Sequence, residues 1–371
     1  MDSRKLQEMM NYVTEEDLSI HSIVIIRHGY RVLEEHLTPT GSVGRTYSLT
    51  GTHYLYSATK SFTSCLMGIA VDRGYVENVG QTVVSFFPNR TIANLDERKE
   101  RMTVENLLTM RSGLPWDESS APFTSPLNDI YHLDNEPAGG VQYVLDMPME
   151  AEPNSLWHYN TGASHLLSGI IQEVTGMTTL EFALENLFSP LGISNLYWNV
   201  DRQGVNYGGY DLQLTPEDMA KFGYLFLNNG TWDGEQIVSE EWVASSTGTF
   251  TQLNSYEGYG YQWWTLPAIG AFYAAGLYGQ FIFVVPEQDL VVAFTSGFYA
   301  SERPQNPEIL YEYILPAVID SDYYSSGLDI VNPFIVIVMF MPVLALGLYF
   351  VVRKNESDQH SRALSALLPR R

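Results

Sequence analysis

The order of elements along the chain predicts an α+β fold. An antiparallel sheet assembled from both chain ends is flanked by helices and carries an inserted all-helical lobe, and a transmembrane helix follows at the C-terminal end. Three observations lead there. Alternating strand patterns occur before residue 57 and return after residue 258; helical patterns and Gly/Pro-rich loops fill the interval between; and an uncharged apolar stretch lies past the apparent end of the domain. With 371 residues, 45% of them hydrophobic, the chain can bury a full core, and its length suits one large domain of two lobes or two domains.

The elements follow in order. Ile20-His21-Ser22-Ile23-Val24-Ile25-Ile26-Arg27 alternates, turns at His28-Gly29 and continues from Tyr30 to His36, which is the pattern of a β-hairpin. A short strand around His53 to Tyr56 feeds Ser57 into an apolar helix running to Ala70. Thr103 caps an amphipathic run to Met110 that Ser112-Gly113-Leu114-Pro115 stops. Thr161 to Val174 and Thr215 to Leu227 are two further helices, the second opening on Thr215-Pro216-Glu217 as cap and first turn. Strand character returns in Tyr259 to Trp264, Ala271 to Ala275, Gln280 to Val285 and Leu290 to Thr295, with Pro286-Glu287-Gln288-Asp289 as a turn. A last helix runs from about Pro307 to Ile319.

From Pro333 to Val352 no charge occurs, and at about 1.5 Å per residue a helix of that length crosses roughly 30 Å of hydrocarbon. The alternative is a buried core helix. The expected division is a main domain at 1–320, a linker at 321–332, a transmembrane helix at 333–352 and a short basic tail at 353–371. Arg353, Lys354, Arg362, Arg370 and Arg371 follow the span, while Asp320, Asp322 and Asp329 precede it. The positive-inside rule therefore puts the tail in the cytoplasm and the main domain on the extracytoplasmic side of the bilayer. That placement needs an export signal, and Met1-Asp2-Ser3-Arg4-Lys5-Leu6 lacks an apolar region of that kind, so the true start is expected upstream of Met1. The alternative is a tail-anchored protein with its main domain in the cytosol.

The formal charge of −23, from 43 acidic against 20 basic residues, argues against a nucleic-acid partner, because phosphate binding needs a basic surface. The single cysteine, Cys65, lies inside the apolar helix, so no disulfide framework exists and packing is its expected role. Lysine is scarce at five residues, and one of them, Lys60, stands at the start of an apolar helix. Burial shifts a lysine pKa downward and makes the amine a usable base.

Three groups of residues carry chemistry. Ser57-Ala58-Thr59-Lys60 puts a serine at a helix N-terminus, where free amides favour developing negative charge, with the lysine one turn on along the same face. Taken alone the motif is cheap, since an ordinary capped helix start reads the same way. Trp157-His158-Tyr159-Asn160-Thr161-Gly162 sits just before a helix. A phenol near the Lys60 ammonium would be pushed toward tyrosinate and could exchange the nucleophile's proton, although Tyr159 and His158 each read equally as structural. In Gly276-Leu277-Tyr278-Gly279-Gln280, glycines at a strand start permit close backbone approach, so an amide near Gln280 can pair with the Ser57 amide as an oxyanion hole. A plain glycine-rich hairpin turn fits that pentapeptide as well.

Ser57-x-x-Lys60, Leu107-Leu108-Thr109-Met110-Arg111-Ser112-Gly113-Leu114, Tyr159-Asn160-Thr161-Gly162, Leu214 to Gly223 and Gly276-x-x-Gly279-Gln280 occur in the order found in the serine β-lactamase-related family, which the chain resembles over roughly residues 1 to 318. That family includes class C β-lactamases, DD-peptidases, esterases and amide hydrolases. The resemblance implies a β-lactamase/transpeptidase-like fold, with Ser57 as nucleophile and Lys60 and Tyr159 as proton-transfer partners. It implies the Ser57 and Gln280 amides as oxyanion hole, with Gly279 and Thr161 beside the substrate. Two departures stand out. Thr161 replaces the asparagine of Tyr-x-Asn, and Leu277-Tyr278-Gly279 stands where Lys-Thr-Gly is expected, so the cation that meets a substrate carboxylate is missing. The expected activity is hydrolysis of a small-molecule or peptide-like ester or amide through an acyl-enzyme, by a membrane-anchored enzyme using no metal or organic cofactor. The alternatives are a true β-lactamase or D-alanyl-D-alanine carboxypeptidase, and a sensor that is acylated without turnover. Specificity is assigned to loops such as Glu118 to Gly140.

Overall fold

The computed structural model describes residues 1–39, 51–298 and 304–318. The linker, the span at 333–352 and the basic tail lie outside the described residues. Among those that are described, no helix is long and apolar enough to cross a membrane.

An eight-stranded antiparallel sheet forms the scaffold. Its order in space is Tyr30–His36, Ile20–Arg27, Leu290–Ser296, Gln280–Val285, Ala271–Gly276, Trp264–Leu266, Gly258–Tyr259 and Thr251–Gln252. The N-terminal hairpin joins the C-terminal strands by pairing Ile23 with Phe294 and Ile25 with Val292, so the sheet is assembled from both chain ends as the sequence predicts. Its turn places His28 and Gly29 at φ 51° and 74°, the left-handed pair that suits a two-residue hairpin.

Both faces of the sheet are covered, and the two-residue period sorts the side chains between two cores. Val24, Ile282, Val284, Val291 and Ala293 face the helical side. Ile23, Ile25, Phe281, Phe283, Val292 and Phe294 face the opposite layer, which Met9, Val13, Ile309 and Ile314 complete. On the helical side, helix Pro216–Leu227 lies against the sheet at Gly223, where a methyl group would come within 2.6 Å of Val291 and 2.8 Å of Ile282. Helix Thr59–Asp72 is buried from Thr59 through Ala70, so it has no solvent stripe and runs as a central pillar between sheet and lobe. Phe62 on this helix stacks on Phe222 with ring centroids 3.7 Å apart.

Three elements differ from the sequence reading. Helix Ser3–Glu15 precedes the first strand; it buries only Met9 and Val13, too sparse a pattern to read, and it is held by its neighbours. Tyr12 stacks on Tyr313 at 5.3 Å, and the Asp2 amide donates to the Ala317 carbonyl at 2.6 Å. The strand expected at Tyr259 to Trp264 is broken at Gln262, whose φ is 61°. There the Gln262 amide donates to the Leu108 carbonyl and its own carbonyl accepts from Ser61 Oγ, so tertiary bonds replace the ladder. The final helix begins at Asn306, widens through a π segment, Leu310–Ile314, and ends in a tighter closing turn at Leu315–Ala317.

Candidate active site

Ser57 lies in the single turn Tyr56–Ala58 that leads into helix Thr59–Asp72. The turn is fixed from both sides. Strand His53–Tyr54 pairs with Leu212–Leu214, and the Leu55 amide donates to the Leu212 carbonyl at 2.8 Å. On the other side Gly276, at the end of its sheet strand, approaches so closely that a methyl group there would lie 2.0 Å from the Leu55 carbonyl oxygen. Tyr56, directly before the nucleophile, has φ +47°, a conformation that costs an L-residue energy and tends to be kept at functional turns.

Lys60 is buried, and its ammonium donates to Ser57 Oγ at 3.2 Å, Thr161 Oγ1 at 2.9 Å and the Gly209 carbonyl at 3.0 Å. Three acceptors match the three N–H bonds of the head group. Burial pulls the Lys60 pKa down to about 8, against the opposing pull of the Glu118 charge. The ammonium lies 4.8 Å from the centroid of the Tyr159 ring. Tyr159 shares a hydrogen bond with Ser57, and burial followed by the Glu118 charge holds its phenol well above the usual range. The expectation of a tyrosinate is therefore corrected: burial and the Glu118 charge keep the phenol protonated. Its ring is packed at 6.0 Å on Trp264 of the sheet.

Helix Thr161–Thr175 brings Tyr159 and Thr161 to Lys60. Asn160 caps it, its Oδ1 accepting from the Ala163 amide at 2.8 Å. The Thr161 hydroxyl, assigned from sequence to the substrate, meets Lys60 instead, while the Thr161 amide donates to Glu118 Oε2 at 3.3 Å. The Trp116 indole N–H donates to the same Glu118 oxygen.

Gly276, rather than Gly279, makes the close approach to the nucleophile. Gly279 is crowded by Phe298, Ser296 and Asn306, and the Gln280 side chain donates to the Ser296 carbonyl at 2.7 Å, locking the hairpin behind the site. The tripeptide beside Ser57 is thus Ala274-Ala275-Gly276, also without a cation. His158 is held through its amide, which donates to the Met110 carbonyl. Sequence reasoning missed Gly209 and the part played by Glu118. The signal for the first was the Gly208-Gly209 pair: a methyl on Gly208 would lie 2.1 Å from the Ser164 carbonyl oxygen and one on Gly209 2.6 Å from Thr161 Cγ2. Only bare backbone passes so near the Lys60 pocket.

The site thus sets Ser57 against buried Lys60 and the Tyr159 phenol, on a sheet with an inserted helical lobe. The beta-lactamase family model matches residues 22–312, and the chain belongs to that family. It is similar to a 6-aminohexanoate-dimer hydrolase of Paenarthrobacter ureafaciens, 22% identical over 268 residues covering 66% of each chain. It is also similar to the monacolin J acid methylbutanoyltransferase of Aspergillus terreus, 29% identical over 54% of this chain and 51% of the relative. The chain thus spans between about half and two thirds of the length of these curated relatives. Among solved structures, a putative 6-aminohexanoate-dimer hydrolase from Bacillus anthracis superposes with TM-score 0.66 at 22% identity, covering 82% of this chain and 81% of that one. EstCE1, a hydrolase with promiscuous acyltransferase activity, superposes with TM-score 0.70 at 16% identity, covering 85% and 98%.

Proposed function

We propose that the chain is a serine hydrolase that cleaves a neutral ester or amide through an acyl-enzyme on Ser57. The observation that carries this reading is the hydrogen bond from buried Lys60 to Ser57 Oγ. With its pKa near 8, Lys60 has a deprotonated fraction at neutral pH that can take the Ser57 proton as Oγ attacks the carbonyl carbon. The tetrahedral oxyanion is met by the Ser57 amide and by an amide of the neighbouring strand end. Leu277 is favoured over Gln280 for the second donor. Its N–H follows the close-approach residue Gly276 and makes no hydrogen bond among the described residues, whereas Gln280 sits opposite Gly276 in the ladder. Collapse of the intermediate breaks the bond to the leaving group. That group takes a proton from the Tyr159 phenol, which Lys60 replenishes, and water then releases the acid by the reverse route.

Preference for a neutral substrate follows from the apolar residues Ala274, Ala275 and Leu277 beside the nucleophile, which offer a substrate carboxylate no charge-assisted hydrogen bond. The same feature disfavours a β-lactamase or D-alanyl-D-alanine carboxypeptidase. One relative is named as a hydrolase and the other as a methylbutanoyltransferase, and both are enzyme names, which supports an enzyme over a stoichiometric sensor. The apolar segment 333–352 would anchor the enzyme in a lipid bilayer, with the catalytic domain outside the cytoplasm. The test is a panel of neutral aryl esters, D-amino-acid peptides and a chromogenic cephalosporin. Ester turnover that is abolished in Ser57→Ala supports the proposal; cephalosporin hydrolysis far above ester hydrolysis overturns it.

A further inference from the structure

The catalytic centre contains a carboxylate for which the proposed reaction has no use. Glu118 is half-buried, on the segment that follows the Ser112-Gly113 loop. Its Oε2 accepts from two donors on separate parts of the fold, the Trp116 indole and the Thr161 amide. The second anchor matters, because Thr161 opens helix Thr161–Thr175, whose free N-terminal amides favour a negative charge, and because its hydroxyl accepts the Lys60 ammonium. Glu118 is thereby one residue removed from the base, at a fixed position. We propose that Glu118 is a positioning residue of this enzyme: its anchored negative charge sets the division of the proton between Lys60 and the Ser57–Tyr159 pair, keeping Lys60 charged and Tyr159 neutral at rest.

The groups around Lys60 leave this role to Glu118. Ser57, Thr161 and the Gly209 carbonyl face the ammonium as uncharged acceptors, and Tyr159 faces it with its ring. Tyr259 lies beyond Tyr159, and its phenol too is held neutral by burial, with the Glu118 charge adding to the effect. Glu118 is the ionised partner that opposes the effect of burial on Lys60, and it reinforces burial on Tyr159. Without it, burial alone would discharge the lysine further, and the phenol would give up its proton more readily. Either change lets the proton leave Ser57 before a substrate is present.

This inference rests on the proposed role of Lys60 as base, and the experiment separates the two. The rate at which a neutral fluorophosphonate labels Ser57 is measured against pH for the wild-type chain and for Glu118→Gln, which keeps an oxygen for Trp116 and Thr161 but removes the charge. The wild-type rate rises toward a plateau through the Lys60 pKa. In Glu118→Gln the midpoint moves to lower pH by roughly one unit, so labelling at pH 6 becomes faster relative to pH 9 than in wild type. Glu118→Asp, tested alongside, restores the wild-type midpoint. A Glu118→Gln profile that superimposes on wild type overturns the inference and leaves the Ser57–Lys60 reading intact. So does an effect confined to KM for substrates, which would make Glu118 a binding residue. A wild-type chain that is not labelled at Ser57 at any pH refutes the underlying function instead. Thermal melts of each variant distinguish a shifted midpoint from a damaged fold.

Discussion

Replacing Gly209 by alanine probes the Lys60 pocket without removing any of its hydrogen-bonding groups. The new methyl would lie 2.6 Å from Thr161 Cγ2, 3.2 Å from the Thr161 carbonyl oxygen and 3.3 Å from Lys60 Nζ. Ordinary contact begins at 3.4 Å, so the Thr161 side chain must retreat by about 0.8 Å. Its Oγ1, on the same carbon, moves with it and stretches the 2.9 Å bond to Lys60. Overpacking of this kind costs about 1–3 kcal/mol of stability. A misplacement of about 1 Å in a catalytic constellation lowers the rate on the order of 10²-fold. The rescue is specific: Thr161→Ser removes Cγ2 and keeps the hydroxyl, so the double variant Gly209→Ala/Thr161→Ser recovers most of the lost rate, leaving only the two tighter contacts above 3 Å. The assay is ester turnover and Ser57 labelling for the four members of the cycle, with melting temperatures. A Gly209→Ala enzyme with wild-type labelling, or a double variant no better than the single, would refute the account of how Lys60 is held.

Two further outcomes follow from the geometry. Lys60→Ala and Tyr159→Phe each lower kcat by about 10²-fold or more in a chain that still folds, and a fully active Tyr159→Phe would remove the phenol from the proton path. Glu257 is fully buried beside Tyr273, which donates a hydrogen bond to it, and burial raises its pKa to about 7. Because the folded value lies above the unfolded one, the carboxyl costs nothing below about pH 4.5, and its penalty builds as pH rises to 7 and levels off above it, at about 3 kcal/mol. Glu257→Gln therefore melts several degrees higher than wild type at pH 8.5 and close to it at pH 4.5; equal gains at both would show that ionisation is not the cause.

The strands around the site were legible because their apolar residues recur with a clear period and are closed by turn residues. Gln280–Val285 and Leu290–Ser296 coincide with the sequence reading to within a residue. Ser57, Lys60 and Tyr159 were legible because their chemistry depends on residue type and order, which a sequence preserves. What was illegible depends on third parties. The strand at Tyr259 to Trp264 breaks at Gln262 because Leu108 and Ser61 bind its backbone, and neither is near it in sequence. The glycine beside the nucleophile is Gly276 and not Gly279, since two glycines in one pentapeptide do not reveal which backbone meets Leu55. Tyr159 reads as a candidate tyrosinate until Trp264 and the surrounding core exclude water from it. Glu118 looked like the edge of a variable loop because its anchors, Trp116 and the Thr161 amide, meet only in the folded chain.

If Ser57 carries the acyl group, intact-mass analysis of the chain quenched during turnover of a neutral aryl ester will find it there. The expected result is one added acyl mass that maps to the peptide containing Ser57, is absent in Ser57→Ala and persists in Ser112→Ala. An adduct that survives Ser57→Ala, or that maps to Ser112, would contradict it.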